Sequence, residues 1–558
     1  MDDTKRLILA LVLSGAILLG YSMLTGPQQN GRQETQPQST TTTSAPAQTK
    51  AAPKTTQTTA APAQTAPKPA AQPAPAQPSR PAAEVVVDTP LYRAWFSERG
   101  GTLRKMVLKK YYQEPEQKGG NFILLDLKPT GPYSLGFNLV QAGTDLEKIV
   151  FKADKKSLDL TGRKQSDSLS FTALVGDFVI TKTYRFQPDS YAFNLEVTVK
   201  SLGGKPLEVQ GEISLVEEAA KKQVNTYAFT GVEIWKDGKF VEVDPGDLED
   251  NPVETGDITW MAMNIPYFMG AVVPLTGPEG SKRSVRGALD KAGIMRGTLV
   301  EPALKLEPGR GVTYKYLVFY GPRELNILKS LGHDLQRAVD FGWFDVIAKP
   351  MLWVLNFFYS FVGNYGVAII IITILVKLLF WPLTQKSYKS MKKMQKLQPQ
   401  IAKLREKYKD DKQRLNQEIM QMYKTYKVNP MGGCLPMLVQ IPVFIAFYKV
   451  LGISIELRHA PFMLWINDLS APDRLPIGFD IPYVGHGLPV LTLLMGASMF
   501  IQQKMTPTTG DPTQAKMMML MPVVFTVMFI NFPSGLVLYW LVNNLLSIGQ
   551  QYWTNKRK

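Results

Sequence analysis

Cysteine is almost absent from this sequence. Cys434 is the only cysteine among the 558 residues, so no disulfide bond can form within one chain. A single cysteine says little about the cellular compartment. The compartment must therefore be inferred from other features.

Histidine and the common catalytic motifs are scarce as well. The three histidines are His333, His459 and His486, and none of them lies between residues 84 and 322. There is no glycine-rich phosphate-binding loop and no cluster at metal-ligand spacing. We therefore predict that the protein is not an enzyme, with no catalytic residue, no cofactor and no metal.

Acidic residues are outnumbered by basic ones. The chain has 63 Lys and Arg against 47 Asp and Glu, a formal charge of +16. An excess of positive charge is typical of proteins that bind nucleic acid, a ribosome or anionic lipid. The position of the basic residues in the chain must decide between these partners. Residues 384–430 contain 13 basic and 4 acidic residues, a net charge of +9 beside a long apolar segment. This location indicates the cytoplasmic side of a membrane, and we expect no specific nucleic acid sequence as partner.

The apolar segment is GVAIIIITILVKLLFWPL, Gly366 to Leu383. Its 16 residues up to Trp381 would span about 24 Å as a helix. Lys377 is its only charge, and Thr373 lies one turn earlier on the same face. The cation either faces a cavity or snorkels to the headgroups near Trp381.

The first 83 residues contain an apolar run and a long polar stretch, and neither has the pattern of a folded domain. Residues 7–24 are apolar and follow Lys5 and Arg6, so they form either a signal peptide or a retained anchor. The absence of a clear cleavage site favours an uncleaved anchor with a cytoplasmic N-terminus. Residues 26–83 are rich in Pro, Ala, Gln and Thr, which predicts a disordered linker.

Residues 84–322 have the pattern of short strands and turns. In FNLEVTVK, the apolar residues Phe193, Leu195, Val197 and Val199 alternate and share one face. Segments 178–186 and 313–321 are similar, and Gly-containing turns recur between such runs. The pattern predicts a large β-sandwich.

Residues 324–363 change to helical spacing. The predicted apolar face consists of Trp343, Ile347, Met351, Val354, Phe358 and Phe361. The segment either lies in the membrane interface or packs under the β domain. The Gly363-Asn364 break before the apolar segment favours the interface.

Residues 384–430 predict an antiparallel helical hairpin. Apolar residues step by three and four, first at Met391, Met394, Leu397, Ile401, Leu404 and Tyr408, then at Leu415, Ile419, Met422 and Tyr426. Asp410 and Gln413 suggest a capping box between the two helices, and Pro399 suggests a kink or a helix start. The hairpin binds a protein partner or only touches lipid. Its candidate partner-binding residues are Lys392, Lys393, Arg405, Lys407 and Arg414.

Three further apolar stretches follow, and the last is divided by FPSG at Phe532 to Gly535. The fold class is thus a polytopic α-helical membrane protein with six transmembrane helices and a large all-β periplasmic domain. The six predicted transmembrane helices are residues 1–25 (the N-terminal anchor), 364–383, 431–453, 488–503, 517–532 and 535–552. The segments on the periplasmic side are the linker (26–83), the β-sandwich (84–323), the amphipathic interfacial segment (324–363) and a loop (454–487). The cytoplasmic segments are the basic hairpin (384–430), a loop (504–516) and the basic tail (553–558).

The predicted crossings are short and contain polar residues, namely Gln440, Ser498, Gln502, Asn543 and Asn544. Short helices with inward polar groups imply local thinning of the bilayer or a water-filled recess. This favours the cavity interpretation of Lys377.

Six motifs make the chain resemble the YidC membrane-protein insertase family of Gram-negative type, over nearly its whole length. They are IIIITILVKLLFWPLT (369–384), LQPQI (397–401), DDKQR (410–414), KVNPMGGCLPMLVQIPVF (427–444), QKMTPTT (503–509) and FPSGLVLYW (532–540). The resemblance implies a five-helix insertase core with a groove open to the cytoplasm and lipid. It also implies a β-supersandwich similar to sugar-mutarotase folds.

The resemblance also implies a substrate groove. The family's groove cation is usually arginine, and Lys377 stands at that position as a point charge without the bidentate geometry of arginine. Together with the polar residues noted above, the expected groove residues are Lys377, Thr373, Gln440, Phe444, Met495, Met499, Met528, Trp540 and Asn543. Helix packing is the alternative role for Phe444, Met495 and Met499.

The expected function is insertion of hydrophobic segments of nascent proteins into the inner membrane, alone or with the Sec translocon. Expected partners are nascent membrane proteins, the Sec translocon, the ribosome and targeting machinery, and anionic lipid, with the chain acting as a monomer. The expected location is the bacterial inner membrane, with both termini cytoplasmic. The alternatives are a membrane-tethered periplasmic carbohydrate-active or carbohydrate-binding protein and an ion or solute transporter. The scarcity of histidine opposes the first, and the lack of an intramembrane carboxylate partner for Lys377 opposes the second.

Overall fold

The computed structural model describes residues 81–219, 229–277, 280–426, 428, 435–482, 484–506 and 512–556. All of them belong to one compact unit. The predicted anchor and nearly all of the predicted linker lie outside the described residues.

The first part of the described chain is all β, as the alternating patterns predict. Its strands are β1 Glu84–Asp88, β2 Tyr92–Ser97, β3 Thr102–Tyr112, β4 Asn121–Asp126, β5 Gly136–Leu139, β6 Lys152–Ala153, β7 Ser157–Asp159, β8 Asp167–Val175, β9 Phe178–Phe186, β10 Ala192–Ser201, β11 Leu207–Val209, β12 Gly211–Glu218, β13 Gly231–Lys236, β14 Lys239–Val243, β15 Val253–Ile265, β16 Phe268–Pro274, β17 Lys282–Leu289, β18 Ile294–Val300, β19 Leu304–Leu306 and β20 Gly311–Pro322.

These strands form two large sheets. One has five strands in the order β4-β3-β2-β1-β7. The other has thirteen, along the path β5-β12-β18-β17-β15-β16-β20-β10-β9-β8-β6 with β13 and β14 to one side. Leu195 on β10 lies opposite Tyr184 on β9 and Tyr316 on β20, and all three are fully buried. The predicted alternation in β10 is confirmed.

The two sheets pack face to face. The ring of Phe96, on the five-stranded sheet, lies 4.7 Å from that of Tyr184 on the larger sheet. The fully buried Lys182 on β9 donates from Nζ to the carbonyl oxygens of Gly100 at 2.9 Å and Leu135 at 2.7 Å. The predicted β-sandwich is therefore confirmed.

The rest of the described chain is helical except for one small hairpin. The helices are α1 Leu325–Leu331, α2 Asp345–Val362, α3 Tyr365–Leu379, α4 Trp381–Lys407, α5 Lys412–Thr425, α6 Leu435–Ile453, α7 Val490–Met505, α8 Pro512–Phe529 and α9 Ser534–Lys556, with strands β21 Leu475–Ile481 and β22 Gly485–Leu488 between α6 and α7.

The predicted apolar face of α2 is partly wrong. Trp343 is fully exposed and Phe361 is 73% exposed. Trp343 precedes the helix, which begins only at Asp345, so the helical spacing does not extend to it. The buried face consists of Ala348, Met351, Leu352 and Leu355, and the helix packs on α3 and α6.

Helices α3 and α4 meet at a sharp bend. Their axes differ by 64° across Phe380. Pro382 lies in the first turn of α4, where its missing N–H costs no helical hydrogen bond. Among the described helices, none meets a length-and-hydropathy criterion for a membrane span alone, while the bent α3–α4 pair meets it together.

The basic hairpin consists of α4 and α5. Its core is formed by Met394, Leu397 and Ile401 of α4, Tyr423 of α5, and Val428 just after α5. Asp411 is the N-cap of α5, since its carboxylate accepts from the backbone N–H of Arg414 at 2.9 Å. The predicted capping role of Asp410 is wrong, because the turn after α4 extends one residue further. Pro399 lies inside continuous helix, so it does not mark a helix start. Tyr426 is exposed, and Tyr423 takes its expected place in the core.

The β domain rests on the loop between α6 and α7. The Arg458 guanidinium lies 4.9 Å from the ring centre of Phe122 and 5.6 Å from that of Phe268. It also donates to the carbonyl oxygen of Tyr112 at 2.9 Å. One arginine of the predicted periplasmic loop thus joins both parts of the described chain.

Candidate functional site

A stripe of polar side chains on α9 organises the helical part. Asn543, Ser547, Gln550 and Thr554 follow steps of four, three and four, so they share one helical face. Each bonds another helix. Asn543 accepts from Gln440 of α6 at 2.7 Å, and Ser547 accepts from Lys377 of α3 at 2.5 Å. The other two residues bond α4: Gln550 donates to Thr384 at 2.9 Å, and Thr554 donates to Gln385 at 3.1 Å.

Lys377 is buried against this stripe. Its side chain is 6% exposed, and its ammonium donates to the Ser547 hydroxyl. Ser547 in turn donates to the carbonyl oxygen of Asn543 at 2.7 Å. Within the ranges that the structure describes, Lys377 makes no ion pair with an acidic residue. Lys377 also lies in the last turn of α3, where the partial negative charge of the helix terminus favours a cation.

Thr373 is buried one turn before Lys377 but does not bond it. Its hydroxyl donates to the carbonyl oxygen of Ile369, in its own helix, at 2.6 Å. A recess opens nearby at the α3–α4 bend. It is lined by Val376, Lys377, Phe380, Leu383, Thr384, Val439 and Gln440. The recess thus combines one cation and two neutral polar groups with an apolar wall.

Aromatic rings from three helices meet further along α9. Trp540 of α9 lies 4.7 Å from Phe444 of α6, nearly perpendicular at 86°, and 5.1 Å from Phe529 of α8. Rings at these distances pack favourably. The structure therefore brings together two of the expected groove residues, Phe444 and Trp540, beside the polar stripe.

The expected methionines have three different environments. Met495 is fully buried, Met499 is half-buried, and Met528 is 41% exposed. Met528 lies on the outer side of α8, together with exposed Val523, Val524 and Val527. The structure does not bring the three methionines to one surface.

Sequence reasoning missed five polar residues of this region: Thr384, Gln385, Ser547, Gln550 and Thr554. The spacing of Asn543, Ser547, Gln550 and Thr554 was the available signal, since four polar residues on one face of an apolar helix imply buried partners. Their partners on α3 and α4 could not be identified from spacing.

The opposite end of the bundle is fastened by the loop between α6 and α7. The buried Asp473 carboxylate accepts from Trp465 Nε1 at 2.6 Å and from the backbone N–H groups of Leu491 at 2.5 Å and Thr492 at 3.2 Å. The backbone N–H of Ser534 donates to the carbonyl oxygen of Ala471 at 2.7 Å. Ser534 and Ser547 are 13 residues apart on α9, or about 20 Å. The recess therefore lies well away from the fastened end.

The hairpin cations are not equivalent. Lys392 donates to the carbonyl oxygens of Thr554 at 3.3 Å and Asn555 at 3.0 Å, at the C-terminal end of α9. Lys407 and Arg414 lie over the Tyr408 ring at the hairpin turn, at 5.2 and 5.8 Å from its centre. Both are exposed, as is Lys393, while Arg405 is half-buried. Lys392 therefore contacts α9, whereas Lys407 and Arg414 contact the ring at the hairpin turn.

The described chain thus combines a large β-sandwich domain with a helical part that contains the recess. Comparison with protein families also divides the chain into two parts, with the boundary inside α2. Residues 84–354 match the family described as the YidC periplasmic domain, and residues 357–558 match the family described as 60Kd inner membrane protein.

Similar proteins extend over nearly the whole chain. The membrane protein insertase YidC of Syntrophobacter fumaroxidans is 44% identical over 558 residues, 99% of each chain. That of Syntrophus aciditrophicus is 46% identical over 483 residues, 85% of each chain. A crystal structure of an active YidC insertase, with its first transmembrane domain resolved, is 21% identical and covers 85% of this chain and 93% of that chain. Its TM-score of 0.37 is too low to add to the assignment.

The chain belongs to the YidC membrane protein insertase family. It is therefore a membrane insertase with a periplasmic domain and not an enzyme. The carbohydrate-related and transporter alternatives are not supported.

Proposed function

We propose that the recess beside Lys377 is the substrate groove, and that its cation attracts acidic or polar extramembrane segments of nascent membrane proteins. The observation that carries the proposal is the Lys377 ammonium, which is 6% exposed and hydrogen-bonded to a neutral hydroxyl. A buried cation without a counter-ion is costly, and a substrate carboxylate would complete the site. The bond to Ser547 supports this role over snorkelling, because it directs the ammonium to a neighbouring helix.

The polar stripe and the aromatic cluster then have successive roles. Hydration and hydrogen bonding in the recess lower the cost of carrying polar backbone into the bilayer. The substrate's hydrophobic segment moves past Phe444 and Trp540 to the exposed apolar side of α8, where Met528 meets lipid. The membrane potential, positive outside in bacteria, favours outward movement of negative charge, so no nucleotide is needed.

The burial of Met495 supports a packing role for this residue rather than substrate contact. A substrate would reach it only if α7 separated from its neighbours. Met499, half-buried on the same helix, belongs to the margin of the groove. Lys377 acts as a point charge, so it attracts a carboxylate without fixing its orientation as arginine would.

The basic hairpin receives substrates from the cytoplasm. Its exposed cations Lys393, Lys407 and Arg414 suit the ribosome, targeting machinery or anionic lipid. We further propose that the chain lies in the inner membrane with both termini cytoplasmic, that it acts as a monomer, and that it works alone or with the Sec translocon.

Paired substrates test the proposal. One substrate has an acidic translocated tail, and its twin has the acids replaced by their amides. Lys377→Ala should lower insertion of the acidic substrate about tenfold, the effect of losing roughly 1.4 kcal/mol, and leave its twin unchanged. Lys377→Arg should retain both activities because the cation remains.

Lys449→Ala is a matched control, since it removes a half-buried lysine from α6 at the other end of the bundle. It should affect the two substrates equally. Normal insertion of the acidic substrate by Lys377→Ala would support snorkelling and reject the cationic groove.

A further inference from the structure

Lys377 reaches its place through a single hydroxyl on another helix. Ser547 accepts the ammonium hydrogen bond at 2.5 Å and donates its own proton to the Asn543 carbonyl oxygen at 2.7 Å. Because that proton is already engaged, a lone pair of the Ser547 hydroxyl is directed at Lys377. The hydroxyl is therefore oriented as an acceptor.

The surroundings of this bond fix the serine. Ser547 is 3% exposed, so its hydroxyl is buried between the helices. The residues on either side of Ser547 on the stripe, Asn543 and Gln550, are bonded to α6 and α4. The acceptor is thus held by a rigid part of α9.

The lysine side chain, in contrast, is flexible. Four methylene groups allow an ammonium to extend along a helix toward headgroups or to turn inward. Lys377 lies only four residues before Trp381, so the headgroup direction is within its reach. One strong hydrogen bond to a charged group is enough to select between such orientations.

We propose that Ser547 is a positioning residue that holds the Lys377 ammonium at the recess and so sets the preference for substrates with acidic tails. The inference rests on the proposed groove function. It requires that Ser547 act through Lys377 and not through the packing of α9. The Ser547 hydroxyl is a neutral acceptor, so it holds the ammonium without neutralising its charge. A substrate carboxylate could then replace Ser547 as the acceptor or bind the ammonium beside it.

The test uses the full chain in proteoliposomes with the paired acidic and neutralised substrates. Ser547→Ala should lower insertion of the acidic substrate about tenfold and leave the neutralised one unchanged. Ser547→Thr should restore insertion of the acidic substrate, since threonine keeps the hydroxyl. Ser498→Ala is the control: Ser498 is a buried serine on α7 that accepts from Asn544 at 3.0 Å. It should affect both substrates equally.

A double-mutant cycle separates this inference from the proposed function. If Ser547 acts through Lys377, Ser547→Ala should add nothing to Lys377→Ala. The inference is overturned if Ser547→Ala inserts the acidic substrate normally while Lys377→Ala does not. It is also overturned if Ser547→Thr is as defective as Ser547→Ala, or if the two alanine substitutions are additive. Normal insertion by Lys377→Ala would instead reject the groove itself.

Discussion

The ammonium of Lys377 and the hydroxyl of Ser547 form a hydrogen bond between residues 170 positions apart in the sequence. The bond joins α3 to α9 beside the bend at Phe380. It places the one charge of an apolar segment at a recess rather than along the helix surface. The other members of the α9 stripe hold the helices around it.

The contact between α7 and α8 allows a matched pair of glycine substitutions. A Cβ at Gly496 would lie 2.1 Å from Thr526 Oγ1, and this hydroxyl is held by its bond to the Pro522 carbonyl oxygen at 2.7 Å. Gly496→Ala should therefore destabilise the protein by about 1–3 kcal/mol.

Gly549 of α9 provides the comparison, because a Cβ there would meet no described atom within 4 Å beyond its chain neighbours and the backbone of its own helix. Gly549→Ala should raise stability slightly through helix propensity. The denaturation temperature of each variant in detergent measures both effects. Equal temperatures for the two variants would contradict the close helix contact.

Asp473 supplies a helix cap from a distant loop. Helix α7 follows Pro489, which has no side-chain acceptor, and the Asp473 carboxylate accepts from the first-turn N–H groups of Leu491 and Thr492. Asp473→Ala should destabilise the protein by about 2 kcal/mol or more, because it removes a cap and leaves Trp465 Nε1 without its acceptor.

Asp473→Asn is the control, since its amide oxygen can still accept and should recover part of the loss. Thermal denaturation in detergent measures both variants, and insertion of the neutralised substrate reports on function. An unchanged denaturation temperature in Asp473→Ala would show that the loop does not fasten this end.

The buried Lys182 should make the β domain sensitive to pH. Burial lowers the pKa of Lys182 to about 7, against 10.5 in the unfolded chain. Between these values the unfolded state binds a proton that the folded state lacks, so stability should rise with pH from about 7 to 10.5. The slope should approach about 1.4 kcal/mol per pH unit.

Below pH 7 both states are protonated, and this contribution to the slope should vanish. Urea denaturation followed by the circular dichroism of the β domain measures the profile. Lys182→Met should remove the rise, whereas Lys155→Met, on a partly exposed lysine, should keep it. A rise that persists in Lys182→Met would assign the effect to another group.

The β domain illustrates what sequence periodicity can predict. Alternation at Phe193, Leu195, Val197 and Val199 specifies one buried face of the strand. Only a second sheet packed on that face is then needed to complete the sandwich. In α2 the predicted face includes Trp343, which precedes the helix, and Phe361, which is exposed near its end. The buried face was therefore assigned too broadly.

The recess illustrates what periodicity leaves open. Lys377 was evident as the one charge in an apolar helix, but its acceptor on α9 depends on how the helices cross. Asp473 is a similar case, since the helix it caps begins 17 residues later. Met495 and Met528 have the same side chain, and only the packing of α7 and α8 distinguishes the buried one from the exposed one.

The proposed role of Lys377 depends on its positive charge, so reversing that charge is the sharpest test. The measurement is insertion of two substrates that differ only in tail charge, one acidic and one basic, by the wild-type chain and by Lys377→Glu in proteoliposomes. We expect the wild type to insert the substrate with the acidic tail better. Lys377→Glu should fail to insert that substrate and should insert the one with the basic tail, because opposite charges attract across the recess. Equal insertion of both tails by Lys377→Glu would contradict the cationic groove.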